Sequence, residues 1–256
     1  SFCSTKDTAS RVRLLPAVRR PIYFALTLFA STVLSQESVV DLPKWTQYGR
    51  GGTGQLNNWG GLGFYRIKRI KGNSFNDLRL LGMFIPDNTL ATARYKSSNK
   101  FDILPQLYRF TVTSVRKSSA SDLRIRYHYN QGFGAFLFDQ SSTHLTSELA
   151  LSYDMSDYLN DTRKTSYLKG GLFWDLDIAR TSLAIDFEYF HQISDVVPDE
   201  ETLSRYELTA EMNVWIREPW LVTAGYEEEF YIAKERRNIR SVYLAVGFKK
   251  PLAFTF

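Results

Sequence analysis

Apolar and polar residues alternate with a period of two along the second half of the chain. In 203–216 the apolar residues fall on one face of an extended chain and the charged residues fall on the other. Alternation sustained over such a length is typical of a β-strand, whose successive side chains point to opposite faces. The pattern predicts strands over 122–138, 144–155, 166–178, 182–192, 203–216, 220–231 and 239–248.

The first half of the chain alternates less regularly. It is interpreted as further strands near 46–55, 61–71, 77–86, 89–97 and 101–116. Together these segments give about twelve strands, and ten is the alternative because the stretch 49–63 is rich in glycine. Pro105 cannot donate a ladder hydrogen bond, so it is expected at a bulge or at a strand start.

The connections between the later strands alternate between short and long. In chain order they are 139–143, 156–165, 179–181, 193–202, 217–219 and about 232–238. Outer-membrane barrels have short periplasmic turns, longer external loops and strands of about ten residues that cross the membrane at a tilt near 45°. An even number of strands would place both ends of the barrel domain in the periplasm.

These patterns predict an all-β fold: a single closed antiparallel up-and-down transmembrane β-barrel. In hydrocarbon an unpaired backbone group costs several kcal/mol, so a sheet spans a membrane only when it closes. Leu208, Val214 and Leu244 are then expected to face lipid, with Arg126 and Glu207 inside. A soluble sandwich or lipocalin-like barrel would show the same alternation with its apolar face inward.

The basic charge of the chain lies mostly in its first 35 residues. They carry five basic residues and one acidic residue, or +4 of the +5 net charge, so no basic patch remains that would predict nucleic-acid binding. Arg19 and Arg20 precede the apolar run 21–34, and residues 1–35 are interpreted as a signal peptide cleaved before Gln36. The alternative, a membrane anchor, would need a run of about 20 residues.

Two further features limit the class of protein. The only cysteine, Cys3, lies in the predicted signal peptide, so the barrel domain, 36–256, has no disulfide. The mean hydropathy of −0.27 is too low for a protein with several transmembrane helices.

The polar faces of the predicted strands carry acidic and basic residues together. They are interpreted as a salt-bridged network in the barrel lumen, with a pathway for small polar solutes or acid–base chemistry as alternatives. The predicted members are Arg124, Arg126, Glu148, Lys169, Asp175, Asp186, Glu188, Arg205, Glu207, Glu211, Glu227 and Glu229.

Nothing in the sequence predicts a catalytic, metal or cofactor site. The three histidines are widely spaced, and no phosphate loop, dinucleotide fingerprint, zinc spacing or nucleophile elbow occurs. His191 with Asp195, and His144 with Ser141 and Ser142, are candidate catalytic groups, but loop histidines and turn serines are the commoner interpretation. We therefore predict that the protein is not an enzyme.

Aromatic residues near the strand ends are typical of the girdles at both membrane interfaces. Most of the following are predicted to belong to such girdles: Trp174, Trp215, Trp220, Tyr153, Tyr226 and Tyr243. A carbohydrate-binding platform is the alternative.

Segment 107–138 resembles a hairpin of the salt-induced outer membrane protein family, a family of unknown function. It has an aromatic strand start, a charged loop and a strand that ends near Gly132-Phe133-Gly134. The segments 147–155, 187–195 and 241–248 follow in matching order, so the resemblance covers about 100–250. It implies one barrel of about twelve strands in the outer membrane and no catalytic residues.

The end of the chain departs from that pattern. Such barrels usually finish with an aromatic residue that the assembly machinery is thought to read. Phe248 closes the regular strand and Phe256 is the last residue, while Pro251 is expected to interrupt the ladder between them. The sequence does not decide which phenylalanine is the signal.

These observations predict an outer-membrane protein of the bacterial envelope, either structural or a narrow passive channel, with a relation to envelope or salt stress. The expected partners are membrane lipid and the outer-membrane assembly machinery, and the expected state is a monomer without nucleic acid. A barrel enzyme acting on envelope lipid or peptide, and a soluble periplasmic β-protein, are the alternatives.

Overall fold

The computed structural model describes residues 42–86, 88–119, 123–158, 162–196, 201–233 and 238–252. The predicted signal peptide, 1–35, and its cleavage site at Gln36 lie outside these residues. No helix within the described ranges is long and apolar enough to cross a membrane. The strands are β1 Lys44–Leu56, β2 Asn58–Lys71, β3 Ser74–Ile85, β4 Asn88–Lys100, β5 Leu107–Ser118, β6 Leu123–Gln140, β7 Thr143–Tyr158, β8 Thr162–Ile178, β9 Thr181–Gln192, β10 Arg205–Arg217, β11 Trp220–Tyr231 and β12 Ile239–Pro251.

Each strand pairs antiparallel with its neighbours in the sequence, and β1 pairs with β12 to close the sheet. The closing ladder runs from Thr46 opposite Pro251 to Gln55 opposite Val242. Closure gives every strand two partners, so no edge is left with unpaired backbone groups. The predicted all-β barrel with twelve strands is confirmed, and the ten-strand alternative is wrong.

The two ends of the barrel differ in their connections. We call the end at which β1 begins and β12 ends the termini end, and the opposite one the far end. At the termini end the connections are 72–73, 101–106, 141–142, 179–180 and 218–219. At the far end they are Asn57, 86–87, 119–122, 159–161, 193–204 and 232–238.

Two predicted boundaries are wrong. Residues 156–165, predicted as a long loop, belong mostly to the β7–β8 hairpin, in which Ser156 pairs with Arg163. Their polar side chains resemble a loop, although the backbone continues the ladder. Residues 101–106, predicted as strand, form a connection, and Pro105 lies in it just before β5. The regular alternation of short and long connections therefore does not hold along the whole barrel.

The outer face of the barrel is mostly apolar and the inner face is mostly polar. Leu149 and Leu244 are 61% and 54% exposed on the outside, whereas Glu148, the neighbour of Leu149, is 3% exposed. Val214 is likewise exposed and Arg126 is buried, as the lipid-facing arrangement requires. The period of two in the sequence therefore separates an apolar exterior from a charged interior.

The strands are long enough to cross a bilayer. The shortest have 12 residues, which at about 3.3 Å per residue gives about 40 Å. A tilt near 40° reduces this to about 30 Å across the membrane, which exceeds the roughly 25 Å apolar band of outer-membrane barrels. Every strand can therefore span the apolar band completely.

Aromatic rings lie on the outer face at both ends of the barrel. Trp174 and Trp220 are exposed near the termini end, and Trp59 and Phe84 are exposed near the far end. Tyr243 does not belong to this set, because it points inward and is only 5% exposed. The girdle prediction is wrong for Tyr243, because the inner face of β12 carries this large aromatic side chain as well as small residues.

The seam between β1 and β12 continues past Phe248. Lys249, Lys250 and Pro251 pair with β1, and the Leu252 amide then donates to the Trp45 carbonyl at 3.0 Å. The prediction that Pro251 interrupts the ladder is therefore wrong. Phe256 lies outside the described residues.

Candidate functional site

A large cavity of about 780 Å³ lies in the lumen. Gly72 and Asn73 of the β2–β3 turn line it, as do Lys100, Asp139 and His144, so the cavity opens at the termini end. None of the described residues in the far-end connections lines it. Toward the far end the lumen is instead filled by two groups of inward side chains, one apolar and one charged.

The apolar group fills the far end beside β1–β4 and β12. It consists of Leu56, Leu62, Met83, Ile85, Leu90, Tyr243 and Ala245. These inward apolar side chains occupy volume that water could otherwise fill, in a lumen that is elsewhere lined by charged residues. This group therefore acts as an internal filling on one side of the barrel.

The charged group is organised around Glu229 of β11, whose carboxylate is 4% exposed. Arg116 of β5 and Arg126 of β6 reach it with Nη1–oxygen distances of 2.9 and 3.2 Å. Arg205 of β10 lies 3.5 Å away through Nε, and the Tyr231 hydroxyl also donates to Glu229. Because β5 and β6 are not adjacent to β11 in the wall, these ion pairs cross the lumen.

The same group extends to β7 through Asp154. Arg205 Nη2 lies 3.3 Å from Asp154 Oδ2, and His128 of β6 contacts the other oxygen. Arg205 also holds Glu207 at 2.7 Å. The aromatic rings of Tyr167 and Phe190 lie within 5.0 and 4.3 Å of the Arg205 guanidinium, as expected for cation–π contacts. The far end is therefore closed on this side by paired charges and aromatic rings.

A second chain of ion pairs crosses the lumen nearer the middle. Lys96 of β4 contacts Glu148 of β7, Lys169 of β8 lies 3.9 Å from Glu148, and Lys169 also contacts Glu188 of β9. The Tyr108 hydroxyl donates to Glu148 at 2.9 Å. Glu148 and Lys169 are almost fully buried, so each depends on the opposite charge beside it.

A third group joins β1 to β10. Arg50 Nη1 lies 2.6 Å from Glu211 Oε2, and the Tyr243 hydroxyl donates to the same oxygen at 3.0 Å. Tyr48 completes the group by accepting from Arg50 at 3.2 Å. Tyr48 and Arg50 lie in the first half of the chain, where the sequence analysis did not assign inward and outward faces. Tyr243 was predicted to belong to an aromatic girdle.

Inward glycines make room for inward tyrosines. A Cβ on Gly225 would lie 1.9 Å from Tyr243 Cζ, and one on Gly134 would lie 2.2 Å from Tyr108 Cζ. Such distances are well inside van der Waals contact, so each ring occupies the space that a side chain would take. The glycines therefore let both phenols reach their carboxylates along the wall.

Strands β2–β4 carry a basic wall that the sequence analysis missed. Asp77 is 1% exposed and holds Arg66 Nη2 at 2.7 Å and Arg79 Nε at 2.9 Å, so two guanidiniums share one carboxylate. Lys68 and Arg94 lie beside them on the cavity surface. We call Arg66, Lys68, Arg79 and Arg94 the basic wall. The alternation in 64–70 could have revealed its first half.

Asp175 of β8 and Asp186 of β9 line the opposite side of the cavity, and we call them the acidic wall. In the ring of twelve strands, β8 and β9 lie across the lumen from β2 and β3, so the acidic wall faces the basic wall. Over the described ranges, Lys68, Arg94, Asp175 and Asp186 form no ion pair at 4.0 Å or less. The cavity thus separates unpaired charges of opposite sign.

The structure brings most of the predicted network together in the lumen. Arg126, Glu148, Lys169, Glu188, Arg205, Glu207, Glu211 and Glu229 form ion pairs there, and Asp175, Asp186 and Glu227 line the cavity. Arg124 is not placed with them. It is exposed beside the register irregularity between Leu123 and Ile125, and a bulge breaks the alternation from which its direction was predicted.

The residues considered for catalysis are not assembled into a site. The His191 ring nitrogen lies 3.4 Å from the Tyr189 hydroxyl, and within the described part of the chain it makes no hydrogen bond to Asp195. His144 contacts Asp139 at 2.7 Å rather than Ser141 or Ser142. The described residues also contain no group of three or more His, Cys, Asp or Glu that could hold a metal.

No protein-family description and no curated protein sequence matches the chain. Among solved structures, it is similar to the NanC porin, with a TM-score of 0.54 and 9% identity over 79% of this chain and 98% of that chain. It is also similar to the translocator domain of the autotransporter NalP from Neisseria meningitidis (TM-score 0.47, 12% identity, 80% and 88% covered). A third similarity is to the KdgM porin (TM-score 0.44, 11% identity, 82% and 99% covered).

The similarity to NanC shows a shared fold, that of a porin-type closed β-barrel. At 9% identity it shows nothing about the solute or the residues that would select it. The finer resemblance to the salt-induced family stays a prediction.

Proposed function

We propose that the protein is an outer-membrane β-barrel of the bacterial envelope whose lumen is a narrow passive pathway. One observation carries the proposal: around a closed barrel of twelve strands, large apolar side chains are exposed outside while acidic and basic side chains are enclosed. Leu149 beside Glu148 illustrates the contrast within one strand.

This distribution is the reverse of the one that a soluble barrel needs. Large exposed apolar surfaces are rare on soluble monomers and are stable against hydrocarbon. Charged groups in contact with lipid would cost several kcal/mol, whereas in a lumen they keep water and counter-charges. The soluble periplasmic alternative therefore has the weaker physical support.

A narrow pathway fits the lumen better than a wide pore. The ion pairs of Glu229 and Glu148 join strands on different sides of the barrel and divide its interior. The remaining cavity of about 780 Å³ has the size of a small-molecule site. We propose that the termini end faces the periplasm and that conduction through the unmodified barrel is small.

Membrane fractionation combined with heat modifiability tests the location and the fold. We expect the protein in the outer-membrane fraction, and we expect the unboiled barrel in detergent to migrate differently from the boiled chain. Planar-bilayer recording of the refolded protein tests the pathway and should show small, infrequent conductance steps. Recovery in the soluble periplasmic fraction would contradict the proposed location.

We propose that the chain acts as a monomer in lipid and is inserted by the outer-membrane assembly machinery, so that depletion of this machinery should lower the heat-modifiable form. The relation to salt stress rests on the family resemblance alone. It predicts a rise in the amount of protein after a shift to higher salt, which quantitative immunoblotting would measure.

A further inference from the structure

The cavity holds charges of both signs apart. Lys68 and Arg94 stand on β2 and β4, and Asp175 and Asp186 stand on β8 and β9. The backbone ladders of the closed barrel fix the distance between these walls, so the strands cannot move together to bring the charged side chains into contact. Elsewhere in the same lumen oppositely charged side chains do meet across the space, as Arg116 and Glu229 show.

These four groups differ in this respect from most charged groups of the lumen. Lys169, Arg205, Glu148 and Glu229 are each held by partners of opposite charge. On the basic wall, by contrast, Asp77 already serves both Arg66 and Arg79 and leaves their combined charge positive. The wall with Lys68 and Arg94 therefore presents a positive surface, and the wall with Asp175 presents a negative one.

From this geometry we infer that the cavity binds a small zwitterionic solute, with its anionic group against Lys68 and Arg94 and its cationic group against Asp175 and Asp186. A solute carrying a single charge would satisfy one wall and leave the other unpaired. The fixed walls are organised in advance, so the protein orders few side chains on binding. The volume of about 780 Å³ and the opening at the termini end provide room and access.

This inference rests on the proposed function, because it takes the mouth of the cavity to face the aqueous compartment beside the membrane. It adds the chemical class of the solute. The far end, filled by the apolar group and by the ion pairs of Glu229, makes the cavity a binding pocket with one entrance in this conformation.

Isothermal titration calorimetry of the folded full barrel in detergent at low salt tests the inference. The probes are 6-aminohexanoate, hexanoate and hexylamine, which share a carbon chain and differ in charge. We expect 6-aminohexanoate to bind at least about tenfold more tightly than either of the others. Equal affinity for hexanoate would indicate a simple anion site, equal affinity for hexylamine a cation site, and no binding of any probe an empty pocket; each result overturns the inference.

Variants assign the binding to the two walls. Lys68→Gln and Asp175→Asn should each weaken binding of 6-aminohexanoate by about tenfold. Lys117→Gln and Glu228→Gln, which alter charges outside the cavity, should leave it unchanged. Equal loss in all four variants would overturn the assignment, and heat modifiability of each variant shows that it is folded.

The binding result and the location are separable. A heat-modifiable barrel in the outer-membrane fraction that binds none of the probes would refute this inference and leave the proposed function standing. A folded protein that binds 6-aminohexanoate but fractionates with soluble periplasmic proteins would refute the proposed function instead.

Discussion

Arg126 of β6 and Glu229 of β11 form an ion pair across the lumen, with 3.2 Å between Nη1 and Oε1. The two strands are not neighbours in the wall, so the pair links two sides of the barrel. Glu229 also holds Arg116 and contacts Arg205, so three guanidiniums share this one carboxylate. Glu229 is therefore the centre of the charged group that fills one side of the far end.

Glu229→Gln is expected to destabilise the barrel and to increase its conductance. The amide leaves Arg116, Arg126 and Arg205 close together without the carboxylate that held them. Breaking a buried ion pair by removing one partner costs about 3–5 kcal/mol. Urea unfolding in lipid vesicles measures the stability, and planar-bilayer recording measures the conductance.

The matched control for that prediction is Glu228→Gln. Glu228 is the neighbouring residue, faces outward and pairs with the exposed Arg240. Exposed ion pairs contribute little to stability, so this variant should behave like the unaltered protein. A Glu229→Gln barrel with unchanged stability and conductance would show that the cross-lumen pairs do not close the far end.

Gly225→Ala is expected to destabilise the barrel by about 1–3 kcal/mol, the usual cost of overpacking. The added Cβ would lie 1.9 Å from Tyr243 Cζ, which forces the ring away from the wall and from Glu211. The unfolding free energy in vesicles measures the effect, and the second substitution Tyr243→Leu should recover part of it.

Gly63→Ala serves as the control for the glycine prediction, because its Cβ would meet nothing within 4 Å. If Gly63→Ala and Gly225→Ala cost the same, the contact with the Tyr243 ring would not be the cause of the loss. Full stability of Gly225→Ala would contradict the assigned position of Tyr243.

Leu149→Arg is expected to cost about 2–4 kcal/mol in vesicles, the range for a basic residue at the middle of the lipid-facing surface. Leu149 is 61% exposed on the outer face of β7. Thr209→Arg is the inward counterpart, since Thr209 lines the cavity between Glu207 and Glu211. We expect its cost to be much smaller, and a larger cost for Thr209→Arg would mean that the two faces are assigned the wrong way round.

The closing ladder predicts a specific cross-link. Thr53 of β1 is directly opposite Leu244 of β12, and directly paired residues lie near the Cα separation that a disulfide requires. The double variant Thr53→Cys and Leu244→Cys should form a disulfide only in the folded barrel, as seen on non-reducing gels. Thr53→Cys with Phe248→Cys is off register and should not cross-link; the opposite result would place the seam elsewhere.

The sequence by itself determined the class of fold. The period of two in 203–216 and in the neighbouring segments agrees with the structure, because each strand has one face toward the lumen and one toward the exterior. Alternate residues therefore lie in different environments. The pattern favoured twelve strands and left ten as an alternative, which the structure excluded. Prediction from the alternation failed at two places. One is the bulge beside Arg124, and the other is 156–165, where the side chains are polar but the strand ladder continues.

Only the tertiary structure decided which charges meet. Alternation shows that Arg126 and Glu229 both point inward, but not that they meet across the lumen, because pairing around a closed wall depends on strand order, tilt and register. The same holds for Tyr243 against Gly225, and for Lys68 facing Asp175 without reaching it. Direction is a local property of a strand, whereas separation across the lumen is set by all the strands that close the wall between two residues.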